Sequence, residues 1–100
     1  MINQKQLGWA SLELIISGAV QGVGFRFFAQ RAAQRYNLTG YVMNLQDGRV
    51  KVSAEGTQEA LSLLVEELKK GTPLSWIEEV QVNWAEYRGR FRDFSIRFHE

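Results

Sequence analysis

Apolar positions along the chain switch between strict alternation and helical spacing, and each switch marks an element. The run Leu12-Glu13-Leu14-Ile15-Ile16-Ser17 is apolar and β-branched, and predicts a strand with at least one buried face. A glycine-punctuated segment follows from Gly18 to Gly24. Over 25–36 the spacing becomes helical, with Phe25, Phe28, Ala29, Ala32 and Tyr36 on one face and Asn37 as the stop. Leu38 to Asn44 predicts a second strand, and Asp47-Gly48 a hairpin turn into Arg49–Glu55. There Val50, Val52 and Ala54 alternate with Lys51, Ser53 and Glu55, the pattern of a half-buried strand. Thr57 is placed to cap a second helix whose stripe is Leu61, Leu64, Val65 and Leu68. Lys69 and Lys70 suit that helix's C-terminal charge, Gly71 its cap, and Pro73 bars its continuation. Val80, Val82 and Trp84 then alternate as a fourth strand, and Phe94, Ile96 and Phe98 as a short fifth.

This order predicts an α+β fold, a ferredoxin-like β-α-β-β-α-β sandwich: an antiparallel sheet, two helices on one face, and a short added C-terminal edge strand. In that topology strands 1 and 2 run parallel on either side of strand 3, so their C-terminal ends share one edge of the sheet. The Gly18–Gly24 loop is therefore expected beside Asn44, although the two are far apart in sequence. Residues 11–100 read as one domain and residues 1–10 as a short leader, since a chain of 100 residues rarely holds two cores.

Composition narrows the chemistry. The absence of cysteine excludes a disulfide scaffold, a thiolate zinc site and a cysteine nucleophile together. No apolar run approaches the ~20 residues that span a bilayer. The first ten residues lack the basic-then-apolar order of a signal peptide, so the expectation is a cytoplasmic protein. A net charge of +1 provides no nucleic-acid footprint. Its distribution is uneven, however. From Leu14 through Gln46 there is no Asp or Glu, while Arg26, Arg31 and Arg35 all fall within that stretch. Such a half-domain carries a positive field that concentrates small anions.

The glycine segment gives that field a focus. A helix N-terminus has free N–H groups and a partial positive charge, which a capping side chain and acids in the first turn ordinarily satisfy. Here glycines stand at the cap and Arg26 in the first turn, an arrangement that opposes the helix dipole until an anion completes it. Gly22 and Gly24 allow successive N–H groups to turn inward as a nest for phosphate, and Arg26 can grip two phosphate oxygens. Neither G-x-G-x-x-G nor the Walker sequence is matched, and a glycine-rich turn before a surface arginine is the plain structural alternative. Taken alone, Asn44 reads as a turn residue ahead of Asp47-Gly48, His99 as a solvated tail residue, and Tyr41 and Phe28 as core rather than functional residues. No Ser-His-Asp set can be assembled near the loop.

The segment Gly18-Ala19-Val20-Gln21-Gly22-Val23-Gly24-Phe25-Arg26 resembles the first signature of the acylphosphatase family. Gly40-Tyr41-Val42-Met43-Asn44-Leu45-Gln46-Asp47-Gly48-Arg49-Val50 resembles the second, and Ala54-Glu55-Gly56 continues the pattern. The resemblance covers essentially the whole domain. One departure is Ala19, where the family commonly carries a longer, often basic residue. The resemblance implies hydrolysis of the mixed anhydride between a carboxylic acid and phosphate. It assigns Arg26 as the arginine binding phosphate and carboxyl, Asn44 as the residue orienting the nucleophilic water, and the amides of Gln21, Gly22, Val23, Gly24 and Phe25 as the phosphate cradle. It implies no cofactor and no metal, a small acyl phosphate as substrate, and inorganic phosphate or sulfate as product or mimic. The expected state is a monomer without nucleic-acid or membrane partners.

Two other functions fit the fold. A non-catalytic ferredoxin-like module would bind an anion, a small ligand or RNA, but an RNA-recognition version carries stacking aromatics on a central strand, and Arg49–Glu55 has none. Larger carbamoyl-transferring maturation proteins contain a similar segment, together with zinc-binding cysteines that this chain lacks.

Overall fold

Residues 8–98 are described in a computed structural model of the chain. The alternating segments form β1 (Trp9–Ala19), β2 (Thr39–Asn44), β3 (Val50–Thr57), β4 (Trp76–Glu86) and β5 (Phe94–Arg97). The segments of helical spacing form α1 (Phe25–Arg35) and α2 (Gln58–Lys70). The five strands make one sheet in the order β4-β1-β3-β2-β5. Leu12, Leu14, Ile16, Val42, Val50, Val52 and Ala54 point to one face, where Phe25, Ala29, Ala32 and Ala33 of α1 and the Leu61, Leu64, Val65, Leu68 stripe of α2 cover them. A leucine removed from water as completely as Leu14 contributes about 1.5–3 kcal/mol, so this seam fixes which way each strand faces.

The element ends follow the sequence closely. Asn37 takes the left-handed conformation (φ 58°) just past α1. Thr57 Oγ1 accepts the Ala60 N–H at 3.1 Å to start α2, and Gly71 closes it with its N–H on Leu68 O.

Four features depart from the sequence reading. First, the sheet is mixed, because β5 pairs with β2 in parallel. β4 ends at Glu86 opposite Ala10, at the entry end of β1 and therefore of β2, which runs parallel to β1 on the other side of β3. Starting from that end, the chain reaches the far edge and can only run alongside β2 in the same direction. Second, Trp9 and Ala10, counted with the leader, are the first rungs of β1 and pair with Thr57 and Gly56. Leader residues 1–7 lie outside the described residues, as does His99. Third, Gly18 and Ala19 belong to β1, where a bulge at Ser17/Gly18 brings the backbone so close to β4 that a Cβ on Gly18 would lie 2.0 Å from Trp76 O. Fourth, Tyr41 is not core. It lies on the face away from the helices, with the Arg97 Cζ 3.7 Å above its ring.

That second face is also less open than alternation alone predicts. Ser11, Ser53 and Glu55 are buried there, with Glu55 only 1% exposed. The chain between β4 and β5 crosses this face, and Glu55 fastens it. Its carboxylate accepts the N–H groups of Arg88 (3.0 Å) and Arg90 (2.8 Å) and the Ser11 hydroxyl (2.6 Å), with Arg90 Nε at 3.5 Å. Burial acts to raise the Glu55 pKa, but these donors together outweigh it and hold the carboxyl below its ordinary value.

Candidate active site

The loop joining β1 to α1 is pinned to the core at both ends. Val20 and Phe25 are each 1% exposed, embedded in the core, and Phe25 packs on Phe28 with centroids 5.6 Å apart. Between them Gly22 and Gly24 both sit at φ 75°, a conformation that side-chain-bearing residues disfavour. A Cβ on either would meet nothing within 4 Å, so these glycines serve backbone conformation rather than close packing. Gly24 is the N-cap of α1 in the left-handed conformation, with no side-chain cap and no acid in the first turn. The helix therefore presents its N-terminal amides and positive end with no capping side chain and no acid in its own first turn.

Arg26 follows in the first turn and is half-buried. Its guanidinium stacks over the Phe98 ring, Cζ 4.9 Å from the centroid, and among the described residues no carboxylate lies within ion-pair distance of it. The other basic residues of the acid-free stretch contribute less than their number suggests. Arg31 is exposed, and Arg35 is paired with Glu67 at 2.9 Å across the two helices.

Asn44 is the last residue of β2 and faces the same side as Val42, the side packed by α1. Its Oδ1 is buried and has no hydrogen-bond partner among the described residues. A buried amide oxygen left unmatched costs about 1–3 kcal/mol, a cost that a donor from a bound water or ligand at this position removes. The neighbouring turn does not use it. Leu45 and Arg49 close that turn through Leu45 N to Arg49 O (2.8 Å) and Gly48 N to Leu45 O (3.2 Å). Asp47 accepts the Arg49 N–H at 3.1 Å and Arg49 Nε at 2.7 Å. The Arg49 N–H is the chief cause holding the Asp47 carboxyl below its usual value; the side chain is exposed and engaged within the turn.

Loop and strand end meet through Gln21. Its Nε2 donates to Leu45 O at 2.8 Å and to Arg49 O at 2.9 Å, bringing the loop against the residue that follows Asn44. Sequence reasoning used only the backbone N–H of Gln21. Nothing local marks its side chain, because both acceptors lie more than twenty residues away.

An α+β sandwich that presents an uncapped glycine loop, an arginine in the first helical turn and an unmatched asparagine at one sheet edge defines a class of small anion-handling domains. Comparison with known proteins makes this specific. The acylphosphatase family model matches residues 12–96. An acylphosphatase of Thermus thermophilus is 50% identical over 78 residues, which is 78% of this chain and 89% of that protein. The crystal structure of acylphosphatase from Bacillus subtilis superposes with a TM-score of 0.85 at 40% identity, covering 88% of this chain and 98% of that one. An acylphosphatase structure from Coxiella burnetii gives 0.89 at 31% identity, covering 96% and 100%. The chain belongs to the acylphosphatase family. Among the described residues, no helix is long and apolar enough to cross a membrane.

Proposed function

We propose that this chain hydrolyses acyl phosphates to a carboxylate and inorganic phosphate, by direct attack of a water held at Asn44 on phosphorus held by the Gln21–Phe25 amides and Arg26. The observation that carries the reading is the unmatched Asn44 Oδ1 beside an uncapped, acid-free helix N-terminus. As an acceptor, Oδ1 takes one hydrogen of the water and leaves an oxygen lone pair free to attack. The new O–P bond forms as the bond from phosphorus to the acyl oxygen breaks, and the water proton passes to phosphate or solvent.

This site needs no general acid, because the leaving carboxylate has a conjugate acid of pKa ~4. It needs no strong base, because phosphoryl transfer runs through a loose transition state that demands little of its nucleophile. Positioning and charge stabilisation remain. The loop amides and the Arg26 fork supply the second, preorganised on buried anchors at Val20 and Phe25. Asn44 supplies the first, worth at most ~7–11 kcal/mol for ideal placement. Inorganic phosphate or sulfate occupies the same cradle as product or mimic, and the reading takes the chain as a cytoplasmic monomer acting on a small anion.

The test is turnover of benzoyl phosphate by the purified protein, followed by the change in ultraviolet absorbance as benzoate forms. Catalysis well above the spontaneous rate is expected. Tight phosphate binding without turnover would replace the proposal with a non-catalytic anion-binding module.

A further inference from the structure

We infer that Gln21 is a positioning residue whose side chain, not only its backbone, sets the distance between phosphate and the water at Asn44. The inference rests on the site reading proposed above and adds a residue to it. Nε2 carries two hydrogens and spends both on the mouth of the β2–β3 hairpin, at 2.8 Å on Leu45 O and 2.9 Å on Arg49 O. Each of these carbonyls already accepts one backbone N–H, from Gly48 and from Leu45 respectively. Gln21 thus fills the second lone pair of both, and the hairpin mouth is satisfied only with the loop docked on it.

The geometry suits glutamine in particular. Asparagine is one methylene too short to keep both contacts. Glutamate at neutral pH has no hydrogen to donate and would face two carbonyl oxygens. Leucine fills the volume and donates nothing. Val20 and Phe25 hold the loop to the core from below, but neither touches the hairpin by a directional bond. Gln21 provides two such bonds between the phosphate cradle and the segment starting at Asn44. Loosening them lets cradle and water site shift relative to each other, and a displacement of about 1 Å at a reacting centre can cost ~100-fold in rate.

The experiment measures kcat and KM for benzoyl phosphate from pH 8 to pH 5 in wild type, Gln21→Leu, Gln21→Glu and Asn44→Ala. Asp47 in the same hairpin and Glu55 on the far face both have carboxyls held below their ordinary values, so both stay predominantly ionised in this window. Gln21→Leu should lose about 100-fold in kcat at every pH, with a smaller change in KM because Arg26 and the amides still grip phosphate. Gln21→Glu should lose as much at pH 8, then recover at least ~10-fold relative to wild type towards pH 5, as its carboxyl takes up a proton and regains a donor. That recovery occurs within one folded sample, so it decides the matter even if Gln21→Leu fails to fold. A ratio of Gln21→Glu to wild-type kcat that is flat with pH overturns the inference, as does wild-type kcat in Gln21→Leu. Asn44→Ala separates the two levels. If it is impaired while the Gln21 variants are not, the clamp alone is wrong; if it keeps full kcat, the site reading beneath the clamp is wrong too.

Discussion

Replacing Arg26 with glutamine separates the anion grip from the fold that carries it. In the absence of anion, the substitution removes a positive charge from a helix N-terminus that has no acid in its first turn, a gain of about 0.3–1 kcal/mol. It also removes the stacking of Arg26 on Phe98, which at a largely exposed ring is worth about 0.5–1 kcal/mol. These nearly cancel. At roughly 4–8 °C per kcal/mol for a domain of this size, the anion-free melting temperature should stay within about 6 °C of wild type. Phosphate changes the comparison. At one hundred times Kd it stabilises the wild type by about 2.7 kcal/mol, a rise of roughly 11–22 °C. Losing a charge-assisted contact costs ~1.5–3 kcal/mol of binding, which weakens Kd by about 10- to 150-fold. At the same phosphate concentration only about 0.3–1.4 kcal/mol then remains, half the wild-type shift or less. Asn44 holds water rather than phosphate in this account, so Asn44→Ala should keep nearly the full shift. The assay is thermal melting across a phosphate titration at fixed ionic strength. An undiminished shift in Arg26→Gln would move the anion away from the loop, and equal losses in both variants would mean that grip and water site are one.

Three further outcomes follow from other parts of the structure. Exhaustive chelation should leave benzoyl phosphate turnover unchanged, since among the described residues no group of three His, Asp or Glu side chains could hold a metal; a loss restored by a divalent ion would contradict this. Turnover in ¹⁸O-water should place the label in phosphate, because attack falls on phosphorus; label in benzoate would place attack at the carboxyl carbon. Glu55→Gln should cost about 2–4 kcal/mol, or roughly 8–30 °C in melting temperature, because the buried carboxylate holds two backbone N–H groups and the Ser11 hydroxyl. The sign of the pH effect follows from its depressed pKa. The stabilisation is complete above the ordinary value of 4.5 and is lost as pH falls through the lower folded value, so wild type should lose stability in acid more steeply than Glu55→Gln.

What the chain discloses in advance depends on how local the cause is. The β1, β3 and α2 patterns are readable because alternation and helical spacing are set by neighbours a few residues apart, and Thr57, Asn37 and Gly71 mark ends by their own side chains or backbone freedom. The loop and Asn44 can be brought together because topology alone places two parallel strand ends on one edge. Glu55 could not be read this way. Alternation gives it the same polar position as Lys51, and only the later crossing of Arg88 to Arg90 buries it. Tyr41 reads as core in the sequence, but its register places it opposite Ser53 on the far face. The Gln21 clamp depends on two carbonyls whose positions exist only in the folded hairpin.

The central claim is that Asn44 orients the attacking water. Its most direct measurement is kcat for benzoyl phosphate in Asn44→Ala, taken on protein that melts cooperatively and retains its phosphate-dependent stabilisation. The substitution removes the buried side-chain acceptor that is left unmatched among the described residues, while leaving Arg26 and the cradle in place. The account predicts a fall in kcat of at least ~100-fold, as loss of a positioning group at the reacting centre can produce. Near-normal turnover in that folded, anion-binding variant would contradict it and assign the water to another residue.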